Sequence, residues 1–370
     1  MGRIAVIGGG LAGLSCAIGL AKSGLEVTLI EKKEYPFHKV CGEYVSNEVL
    51  PFLASLGADV NSLNPARIQR FQLSSPRGKV LEAPLDLGGF GISRYTLDNY
   101  LYQLAQKAGV QFKLRTTVET VAFSAGKFTL YLSDGSELQS EVTIGAFGKR
   151  SNLDRQLNRS FFASRSPYLA VKYHLRTTMP TDLIALHNFE NGYAGISAIE
   201  DEKFCFCYLT TRNNLKRHGT IPEMEKKVLS RNPFLKEVFR ESEFLYGHPE
   251  VINEISFAPK TAVTDHILCA GDAAGLITPL CGNGMAMALH SGKMLTEAVK
   301  SYFLEHGNRQ QLEENYTRAW QKQFGNRLRS GRFIQQLFGK KLLSEASVYL
   351  FRNLPFALNR LMKSTHGRLF

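Results

Sequence analysis

Two glycine-rich signatures about 260 residues apart constrain this chain more than any other feature. The first is Gly8-Gly9-Gly10-Leu11-Ala12-Gly13, directly after the apolar run Arg3 to Ile7. That run reads as a buried parallel strand. Gly8, Gly10 and Gly13 take the three positions of a G-x-G-x-x-G fingerprint: a tight turn, close backbone approach to a pyrophosphate, and close helix–strand packing. Leu14 to Ser23 reads as the helix, its free N–H groups and positive dipole end facing the phosphates. Gly24 closes it, Glu26 to Ile30 reads as a second strand, and Glu31 follows. A carboxylate there can accept from both hydroxyls of an adenosine ribose and repels a 2′-phosphate, which suits FAD or NAD and disfavours NADP. The competing reading is a glycine-rich turn with no ligand.

The second signature decides between the two dinucleotides. Asp265 to Ala270 reads as another buried strand, and Gly271-Asp272 lies at its C-terminal end, where open α/β sheets bind ligands. Asp272 suits the ribityl hydroxyls that FAD has and NAD lacks; otherwise it caps a helix. Thr278 to Gly284 is a Pro/Gly loop containing Pro279, Gly282, Asn283 and Gly284. It leads into a helix from about Met285 with Met285, Ala288, Leu289, Gly292, Leu295 and Thr296 on one face. A helix N-terminus aimed at the flavin pyrimidine ring would stabilise negative charge there, and Gly282 and Gly284 would let the backbone touch the ring.

With Arg94 in Ser93-Arg94-Tyr95-Thr96-Leu97-Asp98, these motifs resemble the flavoprotein superfamily built on the p-hydroxybenzoate hydroxylase fold. Lys39-Val40-Cys41-Gly42-Glu43 and Pro279-Leu280-Cys281-Gly282-Asn283-Gly284-Met285 are most similar to its geranylgeranyl reductase branch. The resemblance covers residues 1 to about 300. It implies a Rossmann-type, glutathione reductase-like FAD-binding domain with an inserted antiparallel substrate sheet. It assigns to FAD Gly8, Gly10, Leu11, Ala12, Gly13, Glu31, Lys32, Arg94, Val118, Gly271, Asp272, Pro279, Gly282, Asn283, Gly284 and Met285, and it puts Cys41 and Gly42 beside the isoalloxazine. Two segments depart from the family pattern. Phe147 stands in Gly145-Ala146-Phe147-Gly148 where an acid is usual, and Gly192 to Ser197 lacks the Trp or Pro of the reductase substrate motif. The tryptophan-rich motif of flavin halogenases is absent, the single tryptophan being Trp320.

The chain is long enough, at 370 residues and 44% hydrophobic, for a large core in two joined domains. The expected organisation is an FAD-binding part over 1–160, an antiparallel sheet over 161–255, a return to the FAD domain over 256–304, and a basic helical region over 305–370. Tyr168 to Leu175, Leu183 to Phe189, Tyr193 to Ile199 and Phe204 to Leu209 are the strands expected in the inserted sheet, and a hairpin turns at Asp134-Gly135. No apolar run reaches a membrane span. The six cysteines have no metal-ligand spacing; Cys205 and Cys207 share one strand face, which reads as packing. An enzyme of this kind without structural disulfides is expected in the cytoplasm. From Gln321 onward ten Lys/Arg face one acid, Glu345, which is +9 of the overall +12. Interleaved apolar residues such as Phe333, Phe338, Leu342, Tyr349 and Phe356 suit either an interfacial contact with an anionic membrane or basic helices packed on the body. No nucleic-acid recognition motif is present.

Flavin would carry the chemistry, with the protein supplying position, access and electrostatics. Reduction of a carbon–carbon double bond in a hydrophobic small molecule or lipid is the first reading, with Cys41 and Glu43 as catalytic candidates and Tyr44 and His38 as further acids. Hydroxylation or epoxidation of a lipophilic or aromatic substrate with dioxygen is the second, and an FAD-binding carrier without catalysis is the third. Tyr193 and Tyr44 are the substrate-lining candidates. There is no second dinucleotide fingerprint, so NAD(P)H would dock transiently, or a reduced electron-carrier protein would supply the electrons.

Overall fold

The structure, a computed structural model, describes residues 2–163, 166–337 and 340–370. Phe338 of the C-terminal apolar set lies outside them. The strand Arg3–Ile7 and the strand Glu26–Glu31, joined by the helix Leu11–Lys22, form the centre of a six-stranded sheet. Its order runs Val263–Thr264, Ile267–Cys269, Val142–Gly145, Arg3–Ile7, Glu26–Glu31, Gln111–Leu114, parallel except for the edge strand Val263–Thr264. The two glycine signatures therefore meet at one sheet. The helix Gly284–Leu304 packs on the helix Leu11–Lys22 through glycines. A Cβ on Gly292 would stand 2.2 Å from Ser15 Oγ and one on Gly19 2.7 Å from Thr296. That close approach sets Gly271 between Ala12 and Ala288 and lets its N–H donate to Ser291 Oγ at 2.9 Å.

The second sheet carries the four strands expected from the alternation, as Tyr168–Arg176, Leu183–Phe189, Gly192–Ala198 and Phe204–Thr211. It is larger than the segment between 161 and 255. Tyr44–Ser46, Ala66–Ser74 and Val80–Gly91 extend it beyond Leu183–Phe189, with Ala66–Ser74 pairing in parallel. Side chains alternate across this sheet, so its two faces have separate fates. Leu169, Val171, Tyr173, Phe204, Phe206 and Tyr208 bury one face under the helices Ile221–Lys227 and Pro233–Glu241. Ala170, Tyr193, Leu209, Leu73 and Leu186 turn the other toward the Rossmann core. A three-stranded sheet, Val118–Ser124, Lys127–Leu132 and Glu137–Ser140, contains the hairpin at Asp134-Gly135.

Three helices, Arg309–Leu337, Lys341–Asn353 and Pro355–Thr365, end the chain. Tyr316, Trp320, Phe324, Ile334, Val348, Phe351 and Leu358 bury their inner sides. Arg327 is buried with them, 3.7 Å from the Glu48 carboxylate. Phe333, Leu342, Tyr349, Leu350 and Phe356 stay exposed on the outer sides. The packed arrangement thus describes the inner sides of these helices, and their outer sides are left exposed.

Candidate functional site

Gly8 and Gly13 are fixed by the protein itself. Gly8 has φ 105°, and a Cβ on Gly13 would lie 2.0 Å from Gly8 O. Gly10 differs: the nearest atoms to its missing Cβ are Arg94 Nη2 and Lys39 Nζ, at 3.8 and 3.9 Å. Two cations thus face the first turn of the helix Leu11–Lys22, where Leu11, Ala12 and Gly13 have unpaired N–H groups by helix geometry. This donor set fits a pyrophosphate. Both cations are held by Asp98, which accepts from Arg94 Nε and Nη2 at 2.7 Å each and from Lys39 Nζ at 2.8 Å. Asp98 is buried, and the two cations hold its pKa below the ordinary value against the opposing effect of burial. Asp98 was visible four residues after Arg94, the spacing of a helical ion pair, although its role emerges only from the fold.

Glu31 sits at the strand end with its carboxylate accepting from Gly9 N–H at 2.8 Å and Lys33 N–H at 3.0 Å. Tyr35 OH donates to Gly9 O at 2.6 Å. Lys32 is exposed, and Val118 is buried two residues after Thr116, whose N–H donates to Glu31 O. At the distal signature Asp272 follows Gly271, and burial raises its pKa while Lys260, Arg94 and Lys149 oppose the rise. Burial pulls the Lys149 and Lys260 ammonium groups down to about 8. Pro279 opens a short turn that ends at Gly282, φ 62°. Gly284 and Met285 begin the long helix, and Asn283 Nδ2 donates to Thr365 O at 2.9 Å, tying the loop to the last helix.

Between the signatures lies the segment 39–43. Gly42 is exposed with open space around its Cα. Cys41 is half-buried; burial raises its thiol pKa, and its carbonyl accepts from Cys205 Sγ at 3.2 Å. A neutral thiol is a proton donor and a poor nucleophile. Glu43, at φ 56°, turns inward and is fully buried. Its Oε1 accepts from Arg94 N–H at 2.8 Å and from Lys172 Nζ at 2.5 Å, and its Oε2 from His174 Nε2 at 2.6 Å. His174, Lys172 and these bonds hold its pKa below 4.5 although burial acts the other way. Lys172 is 0% exposed and Glu43 raises its pKa. Glu200 anchors the helix Arg94–Lys107 from its other side, accepting from Ser93 N–H at 2.7 Å, from Ser93 Oγ and from Thr96 Oγ1. Lys172 and His174 had a signal in the sequence: they alternate with apolar Leu169, Val171, Tyr173 and Leu175, on the face opposite those residues. Nothing in the sequence tells which group they meet.

Along the same sheet face the chemistry changes. Lys172 pairs with Cys207 and His174 with Cys205; Cys207 pairs with Gly195, Gly195 with Leu186, and Leu186 with Leu73. The face is ionic at the first pair and aliphatic at the last. The aliphatic end floors a cavity of about 90 Å³. Phe71, Leu73, Ile184 and Leu186 form its floor, Tyr44 and Pro279 to Gly282 one wall, and Ile334, Phe351, Leu358, Leu361 and Met362 its cover. Tyr44 OH donates to Gly88 O at 3.3 Å. Tyr193 lies between the two ends, buried, with its hydroxyl 3.5 Å from Thr278 Oγ1. The structure thus brings Tyr44 and the Pro279–Gly282 turn into one cavity, and Cys41 and Glu43 into the ionic cluster beside it.

A Rossmann sheet carrying both glycine signatures, with a second sheet laid over its carboxyl end, defines a flavoprotein. The chain belongs to the family of the FAD binding domain of p-hydroxybenzoate hydroxylase type, which matches residues 2–321, and it is an FAD-dependent oxidoreductase. It is 25% identical over 355 residues to the conditioned medium factor receptor 1 of Dictyostelium discoideum, covering 87% of this chain and 68% of that protein. It is 24% identical over 371 residues to the digeranylgeranylglycerophospholipid reductase 2 of Methanopyrus kandleri, covering 96% of this chain and 90% of that one. The fold is shared with the flavin-dependent brominase Bmp2, at TM-score 0.79 and 20% identity over 98% of this chain and 93% of that one. No helix among the described residues is long and apolar enough to cross a membrane.

Proposed function

We propose that the protein saturates carbon–carbon double bonds of a polyprenyl lipid. The observation that carries this reading is the aliphatic cavity at the Pro279–Gly282 turn, next to the buried ionic cluster on the same sheet face. Bound FAD, itself reduced by NAD(P)H or an electron-carrier protein, supplies the electron pair and one hydrogen to each double bond. The other hydrogen arrives as a proton, and holding a proton near the substrate falls to the protein. The Cys41 thiol keeps its proton because burial raises its pKa, and Glu43 orients the segment that carries it. Apolar walls, aliphatic and aromatic, hold a hydrocarbon chain and exclude water. The M. kandleri relative named as a reductase of a geranylgeranyl lipid supports the substrate class.

Access from a lipid surface belongs to the same reading. The helices that cover the cavity expose Phe333, Leu342, Tyr349 and Phe356 outward among basic residues, a pattern complementary to an anionic bilayer. The test is anaerobic incubation of the FAD-loaded protein with a chemical reductant and a geranylgeranyl lipid, read by mass spectrometry. A gain of two hydrogens per double bond is expected. An unchanged lipid without oxygen, together with gain of one oxygen atom in air, would replace this reading with the dioxygen-dependent one.

A further inference from the structure

Outside the cavity, the ionic cluster continues toward solvent through three side chains from three separate segments. Glu43 Oε2 meets His174 Nε2 at 2.6 Å, His174 Nδ1 meets Tyr246 OH at 2.8 Å, and Tyr246 OH meets His38 Nδ1 at 3.0 Å. An ionised carboxylate only accepts, and with a neutral His174 ring this orders the bonds that follow. His174 donates from Nε2 to Glu43, Tyr246 donates to His174 Nδ1, and His38 donates from Nδ1 to Tyr246. All three donors point inward. Glu43 and His174 are buried, whereas His38 and Tyr246 are half-buried, so the file runs from solvent to core. Secondary structure explains none of it. His38 lies in a loop, His174 in the strand Tyr168–Arg176, and Tyr246 just after the strand Glu243–Phe244.

We propose that His38, Tyr246 and His174 form a proton relay from solvent to the Glu43–Lys172 pair beneath Cys41-Gly42. The proton on His38 Nδ1 passes to Tyr246 oxygen while the Tyr246 hydroxyl proton passes to His174 Nδ1. The His174 Nε2 proton then passes to Glu43 Oε2 and stays there, so that one proton from water neutralises the carboxylate of the Glu43–Lys172 pair. His38 regains its proton from water. No charge accumulates along the file, because each imidazole and the phenol gain one proton as they lose one. The groups facing the file are Lys172, Glu43, Cys205, Tyr95 stacked on His38 at 4.7 Å, and Glu250. Lys172 and His174 disfavour a resident positive charge on His38 while Glu43 and Glu250 favour one; its pKa stays below 6.5, chiefly by burial. His38, Tyr246 and His174 are positioning residues, since they reach the reaction only through Glu43 and Lys172. The proposal rests on the reading that bound FAD lies beside residues 41–43, because two-electron reduction of a flavin takes up protons.

The test uses the FAD-loaded protein in weak buffer with a pH-indicator dye, reduced by flash photochemistry, so that proton uptake is timed against flavin bleaching. Tyr246→Phe keeps the ring packing and removes the hydroxyl. Proton uptake is expected to slow by about tenfold or more with an unchanged flavin spectrum. His38→Ala is expected to slow it similarly and to recover with added imidazole. A merely structural tether would give normal proton uptake in both variants, or loss without imidazole rescue, and either result overturns the relay. If Tyr246→Phe does not fold, His38→Ala with imidazole carries the decision at the solvent end. A wild-type protein that binds no FAD would overturn the flavin reading itself, which normal FAD binding with relay-independent uptake would not.

Discussion

The two ends of one sheet face hold the molecule together in different ways. At the ionic end Glu43, Lys172 and His174 are buried and hydrogen-bonded to one another through the Glu43 carboxylate. At the aliphatic end Phe71, Leu73, Ile184 and Leu186 contact hydrocarbon and a cavity. Charges that have left water are stable only in pairs, so the ionic end tolerates no change to one partner. Apolar side chains lose only contact area and transfer energy when trimmed, so the aliphatic end can vary in shape. One face therefore combines a fixed ionic pole with an adaptable apolar pocket.

The largest expected effect strikes the fixed pole. Lys172→Met leaves Glu43 charged, buried and short of its cation, and should cost about 3–5 kcal/mol of folding free energy. Adding Glu43→Gln should restore a large part of that loss, since the uncompensated charge goes. Denaturant unfolding of the single and double variants measures both; a single variant as stable as wild type would break the contrast.

Acid should act next, and on the back of the aliphatic end. His187 sits beside Leu186 on the opposite face, with Nδ1 2.9 Å from Ser74 Oγ and its ring stacked on Phe234. Burial alone pulls its pKa from 6.5 to about 4. A lowered folded-state pKa stabilises fully above 6.5 and is lost as pH falls from 6.5 toward 4, on the order of 3 kcal/mol. The Glu43 and Asp98 carboxylates, also lowered, add their loss only below pH 4.5 and 3.8. His187→Asn should therefore flatten the stability profile between pH 6.5 and 4. Part of the slope should persist from His290, which burial also brings to about 4. An unchanged profile would show that the imidazole titrates normally.

At the pocket floor, Leu186→Ala should cost about 2 kcal/mol, near the low end for such changes, because the new space joins the existing cavity. A loss as large as that of Lys172→Met would mean the aliphatic end is as rigid as the ionic one.

Legibility in the sequence followed how local each feature is. Gly8 to Gly13, Glu31 and Gly271-Asp272 act through their own turns, so the Rossmann sheet and the strand ends that carry them were readable from spacing. Tyr168–Arg176 and its neighbours declared themselves by alternation. Val80–Gly91 did not, since Pro84, Gly88 and Gly89 are residues that weaken a strand, yet it pairs at the edge half of the sheet. The ionic cluster was hidden for another reason. Glu43 stands about 130 residues from Lys172 and His174, and only strand register brings the four polar residues Lys172, His174, Cys205 and Cys207 onto one face. The cavity depends on still more distant partners, Leu186 and Leu358, which no periodicity connects.

The smallest effect on stability should come from the cover of the aliphatic end, where the contrast reaches the surface. Phe356 is 69% exposed on the helix Pro355–Thr365, two residues before buried Leu358. Phe356→Ser should leave folding within about 0.5 kcal/mol of wild type, because little of that ring leaves water on folding. Its cost should appear only at a lipid surface. Burial of a phenylalanine is worth about 1.5–3 kcal/mol, so affinity for vesicles rich in anionic lipid should fall by about tenfold or more. Zwitterionic vesicles should bind both proteins weakly, because basic residues such as Arg352, Arg360 and Lys363 contribute about 1 kcal/mol each only against negative charge. Sedimentation with the two vesicle types reads all four combinations. If Phe356→Ser bound anionic vesicles as wild type does, the outer faces of these helices would serve only to cover the cavity, and the aliphatic end would have to receive its substrate by another route.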